Sequence, residues 1–187
     1  MIMETFAALL RGINIGGNNV IAMKDLKLAF EELKLSDVKT YIASGNVLFC
    51  SAEKDKTKLT RRIEKKLLES FKSNLRLTLV SFGEYKKIIE KAPPGFGEEK
   101  ETYRYDVWFL FDGLDAKEVL QAIKPKEGVD TIAAGPGVVY VSRLVSMAGK
   151  SRLVRVNQMP MYQNITVRSW NTARKLLELM ESGDLCL

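Results

Sequence analysis

Arginine, amide and hydroxyl side chains that could bind a ligand lie where two predicted strands give way to turns. Arg11 ends a short apolar run and is followed by a glycine- and asparagine-rich loop that contains Asn14. Ser44 and Asn46 flank Gly45 between two strand-like runs. A guanidinium, amides, a hydroxyl and glycine-exposed backbone N–H groups can form a cradle for an anion or another polar ligand. The alternative is that glycine and asparagine serve only to make tight turns here.

A second set of candidate binding residues lies in a long stretch without acidic side chains. Between Asp130 and Glu178 the chain has no Asp or Glu and seven basic residues. These are Arg143, Lys150, Arg152, Arg155, Arg168, Arg174 and Lys175. The rest of the chain is close to neutral, so the net charge of +6 arises from residues 131–177. This excess predicts a cationic surface that attracts phosphates or another polyanion, unless acidic partners come from elsewhere in the chain.

Three residues of this stretch are candidates for contacts with an anion. Arg168 lies where a predicted strand passes into a helix that starts near Asn171, and helix N-termini favour anions. Lys150 would line the same face if the helix before the strand packs beside it. The predicted ligand site therefore comprises Arg11, Asn14, Ser44, Asn46, Lys150, Arg168 and Asn171, with no metal and no cofactor.

Several kinds of catalytic chemistry are excluded by the residue types present. The chain has no histidine, which rules out Ser-His-Asp and Cys-His systems and zinc sites with imidazole ligands. Residues 12–17 follow a predicted strand but lack the Gly-Lys-Ser/Thr ending of a phosphate-binding loop. Neither paired carboxylates nor an acidic cluster with metal-ligand spacing is evident. We therefore place binding above catalysis and assign no catalytic residue.

The two cysteines are predicted to act separately. Cys50 lies in a strand-like run and is expected to be a small buried side chain, whereas Cys186, near the C-terminus, is expected to be mobile. Two cysteines so far apart in the chain indicate neither a disulfide framework nor a metal motif. No apolar run reaches the roughly 18 residues that span a bilayer, and no signal peptide is evident. We therefore expect a cytoplasmic protein without a membrane segment.

Apolar periodicity and turn residues predict the elements that hold these side chains. The order β-α-β-β-α-β occurs twice, and each copy is followed by one extra helix. In the first copy, strands are predicted over residues 5–11, 38–43, 46–50 and 76–80, with helices over 23–34, 56–71 and 81–91. In the second copy, strands are predicted over 105–111, 130–134, 138–142 and 165–168, with helices over 115–123, 149–158 and 171–180. Asp115 is placed as a helix cap, and residues 81–84 match a capping box.

This order predicts an α+β fold of two tandem ferredoxin-like (βαββαβ) lobes that pack together and have mainly antiparallel sheets. Residues 1–92 form the first lobe with its connecting helix, and residues 103–187 form the second with the C-terminal helix. A loop rich in proline, glycine and glutamate separates them. In this topology the first two strands of a lobe are parallel. The loop after Arg11 and the turn at Ser44 should therefore meet at one rim of the first sheet.

Three sequence blocks resemble a bacterial family catalogued as domain of unknown function 1697. The blocks are LLRGINIGG at 9–17, followed by Met23, then TYIASGNV at 40–47, and TVRSWNT at 166–172, which leads into Lys175 and Leu176. The resemblance implies a duplicated ferredoxin-like α+β fold and supplies no activity. Ser169 stands where the family has Asn in an Arg-Asn-Trp motif, which weakens any ligand role of that position. Arg168, Asn171 and Thr172 match the motif.

Three functions remain open on this basis. The first is a binding module whose basic face in residues 131–177 engages an anionic ligand, a nucleotide or a nucleic acid. The second is a histidine-free enzyme that acts on a small phosphorylated or otherwise anionic substrate through Arg11, Ser44, Asn46 and Lys150. The third is an oligomeric interaction protein, because exposed sheet edges can pair between chains. The sequence sets no oligomeric state.

Overall fold

The computed structural model describes residues 3–14, 20–182 and 185–186. The chain divides into two compact units, of which unit 1 comprises Met1–Tyr85 with Leu176–Leu187 and unit 2 comprises Lys86–Lys175. Within the described residues each unit contains a four-stranded sheet whose neighbouring strands are all antiparallel. The predicted α+β class with mainly antiparallel sheets is confirmed. Residues 15–19, part of the glycine- and asparagine-rich loop, lie outside the described residues.

The elements of the first half follow the predicted order. They are β1 (Glu4–Leu10), α1 (Met23–Glu31), β2 (Ser36–Tyr41), β3 (Asn46–Ser51), α2 (Lys56–Phe71), β4 (Leu77–Ser81) and α3 (Phe82–Glu90). The strands lie side by side in the order β2-β3-β1-β4. Helix α2 forms because Leu59, Ile63 and Leu67 recur at helical spacing and are all buried.

The core of unit 1 is built on strands that are buried on both faces. Phe6, Ala8 and Leu10 of β1 belong to the same apolar cluster as residues of β3, α1 and α2. Ala7 and Leu9, which alternate with them, are also fully buried. A continuous apolar run is typical of a strand covered on both sides, since neither face needs polar side chains.

The second half repeats the strand arrangement. Its elements are β5 (Tyr103–Leu110), α4 (Ala116–Ala122), β6 (Asp130–Gly135), β7 (Val138–Leu144), three 3-10 helices (Val145–Lys150, Leu153–Gln158 and Pro160–Asn164), β8 (Ile165–Ser169) and α5 (Trp170–Glu181). The strand order is β6-β7-β5-β8, the same as in unit 1. Strand β8 pairs with Asp106–Leu110, so the first three residues of β5 extend beyond it.

The α-helix predicted over residues 149–158 is wrong, because the structure has 3-10 helices there. The backbone of Met147 is not helical, with φ −120° and ψ 22°. Val154 and Val156 are β-branched and lose side-chain freedom in an α-helix. Pro160 has no N–H with which to continue a helical ladder. Short 3-10 turns tolerate these interruptions better than a regular α-helix does.

Two predicted helix caps are present. The Asp115 carboxylate accepts a hydrogen bond from the Lys117 N–H at 2.7 Å at the start of α4. The N–H of Ser81 donates to the Glu84 carboxylate at 2.9 Å, which is one half of the predicted capping box.

None of the helices in the described part of the chain is long and apolar enough to cross a membrane.

The expectation that the two cysteines act separately is wrong. Cys50 and Cys186 form a disulfide, with their Cα atoms 5.6 Å apart and a sequence separation of 136. Cys186 is held in place further by its N–H, which donates to the Asp37 carboxylate at 3.0 Å. Leu185 is buried beside it. Residues 185–186 are therefore anchored on the sheet of unit 1, a contact that local sequence pattern could not indicate.

Candidate functional site

The two loops predicted to meet at the rim of the first sheet do meet. The backbone N–H of Leu10 donates to the Gly45 carbonyl at 2.9 Å. The side chain of Asn14 donates to the Ala43 carbonyl at 2.8 Å. The contact requires glycine at position 45, because its φ is +76° and a Cβ there would lie 2.7 Å from Cδ1 of Ile13.

The amides at this rim make hydrogen bonds that build the turns. Asn14 Oδ1 accepts from the Ile21 N–H at 2.8 Å, and Asn14 Nδ2 also donates to the Ile21 carbonyl at 3.1 Å. Asn46 is fully buried, and its Nδ2 donates to the Tyr41 carbonyl and to Ser44 Oγ, each at 2.9 Å. These contacts support the turn-building interpretation of both asparagines.

The other two predicted residues at this rim, Arg11 and Ser44, are half-buried. The backbone N–H of Arg11 donates to the Arg76 carbonyl at 2.9 Å, which places Arg11 beside the start of β4. Unit 1 therefore brings the loop after Arg11 and the turn at Ser44 together, as the topology predicted, and the side chains of Asn14, Ser44 and Asn46 make hydrogen bonds within these turns.

The predicted residues of unit 2 lie in different environments. Arg168 is buried, and its Nη1 donates to Thr166 Oγ1 at 2.9 Å and to the Val167 carbonyl at 2.8 Å. Lys150 is exposed at the end of the first 3-10 helix, and Asn171 is exposed in the first turn of α5. Arg168 thus makes internal contacts, whereas the other two side chains face solvent.

The basic residues of the stretch 131–177 differ in exposure. Lys150, Arg152, Arg155, Arg174 and Lys175 are exposed, Arg143 is half-buried and Arg168 is buried. The Asp130 carboxylate, which lies just before the stretch, accepts a hydrogen bond from the Arg152 backbone N–H at 2.9 Å, a contact with the backbone and not with the guanidinium.

A cavity of about 250 Å³ in unit 2, the anion cavity, has two basic side chains in its wall. Its lining includes Gly97, Lys100, Tyr103, Arg104, Trp170 and Asn171. It opens where the first residues of β5 extend beyond β8 and where α5 begins. Of the predicted site residues, Asn171 lines it and the other six do not.

Close packing against Phe96 and Gly97 fixes the position of the Trp170 indole. Phe96 meets it edge-to-face with ring centroids 5.1 Å apart. Gly97 has φ +88°, and a Cβ there would collide with the indole ring. A larger residue at position 97 would therefore displace Trp170 from the wall of the anion cavity.

The described charged residues in the lining of the anion cavity are both basic. Among the described residues that line it, none is acidic, and Lys100 and Arg104 are basic and exposed. Arg104 Nε lies 3.4 Å from Asp106 Oδ2, outside the lining. Burial raises the pKa of Asp106, although Arg104 and Arg143 oppose the shift.

Ser169 contributes to this site by capping α5. Its Oγ accepts from the Thr172 N–H at 3.2 Å and lies 2.9 Å from Thr172 Oγ1. Serine and asparagine are both favoured N-cap residues. The substitution of Ser for the motif's Asn therefore keeps a capping role, and the helix N-terminus that faces the anion cavity carries positive partial charge.

Sequence reasoning missed Lys100, Arg104 and Trp170. Lys100 lies in a loop with Glu98, Glu99 and Glu101, so its charge is not conspicuous in the sequence. The tryptophan of the third motif block was the available signal, since motif residues at a helix start can face a ligand.

Comparisons with known proteins agree with the fold. No curated protein matches the chain. One solved structure that matches is that of the conserved bacterial protein SP0830 from Streptococcus pneumoniae, with a TM-score of 0.85 and 25% sequence identity over 96% of this chain and 99% of that one. A family model described as "Protein of unknown function (DUF1697)" matches residues 3–140, which include the first two motif blocks and end before the third. As the three motif blocks predicted, the chain belongs to the DUF1697 family.

Proposed function

We propose that this protein is a binding module for a small phosphorylated or otherwise anionic ligand, of which a nucleotide is the simplest example. The anion cavity would hold the negative group. The observation that carries the proposal is that Lys100 and Arg104 line this cavity while no acidic residue is among its described lining residues. Charge-assisted hydrogen bonds from such groups to phosphate are stronger than neutral ones.

The aromatic residues of the cavity support a ligand that also has a planar ring. Tyr103, Tyr105 and Trp170 line the cavity together with the two basic residues. Stacking of a base on an aromatic side chain contributes about 1–3 kcal/mol. A volume of about 250 Å³ lies just below the range that is usual for ligand sites, which favours a ligand no larger than a mononucleotide.

A nucleic acid is a second candidate ligand, and a different observation favours it. Lys150, Arg152 and Arg155 are exposed along the 3-10 segment within a stretch that has no acidic residue. Such groups contact phosphates of a strand without regard to sequence. A strand bound this way would lose affinity steeply with added salt.

The enzyme alternative has less support than binding. The amides of Asn14 and Asn46 are engaged in turn contacts, so they would have to break them to hold a substrate. The oligomeric alternative and the cytoplasmic location stay predictions.

We also propose that the two halves are ferredoxin-like copies with boundaries near residues 1–92 and 103–187. The shared strand orders β2-β3-β1-β4 and β6-β7-β5-β8 support this class. The second copy departs from the pattern in having 3-10 helices where its second helix would be.

Calorimetric titration with AMP, ATP and inorganic phosphate tests the nucleotide proposal. Lys100→Ala should weaken nucleotide binding roughly 10- to 100-fold, the effect of losing one hydrogen bond to a charged group. Lys124→Ala is the matched control, because Lys124 is an exposed lysine of the same unit that does not line the cavity. Equal affinities of the two variants, or no binding by the wild type, would overturn the proposal.

Titration with short oligonucleotides of increasing length distinguishes nucleic-acid binding from mononucleotide binding. A nucleic-acid binder should gain affinity with length and lose it in an Arg152→Ala, Arg155→Ala double variant, whereas Lys100→Ala should matter less. Binding that does not change with salt concentration would contradict this candidate.

A further inference from the structure

A second cavity in unit 2, the aromatic pocket, lies against the same two tyrosines as the anion cavity. Its volume is about 270 Å³, and Tyr103 and Tyr105 line both cavities. Phe96, Tyr140 and the Pro93–Pro94 pair complete most of its apolar wall. Four aromatic side chains therefore surround one small space.

The rings are held in a fixed arrangement. The Phe96 ring meets Tyr105 and Tyr140 edge-to-face, with centroid distances of 4.9 and 5.5 Å. Tyr103 and Tyr105 are tilted by 49° with centroids 6.1 Å apart. The four rings lie close together in the lining of one cavity, and a cation within about 6 Å of a ring centroid is attracted by the ring quadrupole.

The floor of the pocket is rigid and uncharged. Tyr140 is almost fully buried, and its hydroxyl donates to the Ile88 carbonyl at 2.6 Å. Burial raises the pKa of Tyr140 to about 12, so the phenol stays protonated in neutral solution. Tyr140 is therefore fixed without a ligand, which lowers the cost of ordering this ring on binding.

One carboxylate determines the charge of the aromatic pocket. Glu99 is exposed and is the single charged side chain among the described residues that line it. Thr131 and Ser142 are the hydroxyl residues in the wall. A carboxylate beside π faces attracts a cation and repels an anion.

We propose that the aromatic pocket binds a small organic cation, specifically a methylated ammonium group. The aromatic faces would contact the methyl groups, and the Glu99 carboxylate would lie near the positive charge. A quaternary ammonium suits this pocket because it buries apolar surface and carries charge without needing hydrogen-bond acceptors on every side. The two cavities share Tyr103 and Tyr105, but this proposal concerns a ligand of opposite charge and does not require the proposed function to hold.

Choline and its uncharged isostere 3,3-dimethyl-1-butanol test the proposal on the full chain. Isothermal titration should show choline binding at least about tenfold more tightly than the isostere, which has the same shape without the charge. Equal affinities for the two compounds would show an apolar pocket only and overturn the proposal, as would the absence of saturable choline binding.

Two variants with a matched control extend the test. Glu99→Gln should weaken choline binding about fivefold or more and leave the isostere unaffected, because only the cation interacts with the charge. Glu101→Gln is the control, since Glu101 is an exposed neighbour that does not line the pocket. Tyr103→Leu should also weaken choline binding while it preserves an apolar wall. If Glu99→Gln and Glu101→Gln bind choline equally, the assignment of Glu99 is refuted.

Discussion

The disulfide between Cys50 and Cys186 leads to the sharpest prediction about stability. A cross-link stabilises a protein mainly by restricting its unfolded chain, and the effect grows with the length of the closed loop. The loop here spans 136 residues, for which the chain-entropy relation gives about 5 kcal/mol. Measured values are commonly 2–4 kcal/mol, so we expect loss of the bond to lower the free energy of unfolding by about 2–5 kcal/mol.

Cys186→Ala is the appropriate perturbation. Cys50 is fully buried in β3, so its replacement would also alter the core. Cys186 lies in the terminal segment, where its Sγ is 3.0 Å from Thr5 Oγ1 and its removal leaves the sheet intact. A chain of this length shifts its melting temperature by about 2–4 °C per kcal/mol, so the expected loss of about 2–5 kcal/mol corresponds to a decrease of roughly 4–20 °C.

Urea unfolding followed by far-UV circular dichroism, with and without a phosphine reductant, measures the effect. The wild type should shift to lower urea on reduction and then coincide with Cys186→Ala, whereas the variant should not respond to reductant. Mass spectrometry under non-reducing conditions verifies the bond before each scan. Coincident curves for oxidised and reduced wild type would refute the reasoning.

Three further predictions concern single positions. Gly45→Ala should destabilise the protein by about 2 kcal/mol or more, because the residue has a positive φ and its Cβ would clash with Ile13. Gly12 has φ +70° but no atom near the position of a Cβ. Gly12→Ala should therefore cost only about 1 kcal/mol in the same urea assay. Ser169→Ala should cost about 1 kcal/mol through loss of the helix cap, and Ser169→Asn should restore most of it. Burial raises the folded-state pKa of Asp106 above its ordinary 3.8. The contribution of Asp106 to stability is therefore present at low pH and lost as the pH rises through the folded-state pKa. The free energy of unfolding of Asp106→Asn, measured at several pH values, should not show this loss.

Each of these predictions has a contrary outcome. Equal destabilisation by the two glycine variants would show that the close approach at the rim does not matter. If Ser169→Asn and Ser169→Ala have the same free energy of unfolding, the capping role of Ser169 is refuted. An unchanged pH dependence in the Asp106 variant would mean that this carboxyl titrates equally in the folded and unfolded chain.

Local patterns in the sequence determined most of the secondary structure. Leu59, Ile63 and Leu67 predicted α2 because residues at that spacing share one helix face, whatever the helix packs against. Asp115 predicted the start of α4 for a similarly local reason, since its carboxylate reaches an N–H two residues away. The motif blocks identified the family by residue identity alone.

Burial of individual polar residues could not be predicted in this way. Thr166 and Arg168 alternate with apolar neighbours along β8, a pattern that normally indicates a face in contact with water. Both are buried, because this face of the sheet is covered as well. The Arg168 guanidinium, which was predicted to contact an anion, makes internal hydrogen bonds to Thr166 and Val167.

The sequence by itself determined the α+β class, the order of the strands and helices, the meeting of the loops after Arg11 and at Ser44, and the absence of histidine chemistry. Only the tertiary structure decided which distant residues share a space. Lys100 comes to lie in the same cavity wall as Trp170, and Cys50 bonds to Cys186. The periodicity of apolar residues indicates which face of one helix or strand is buried and which is exposed to water. Contacts between residues that are distant in sequence depend instead on how separate elements pack together, which local spacing does not determine.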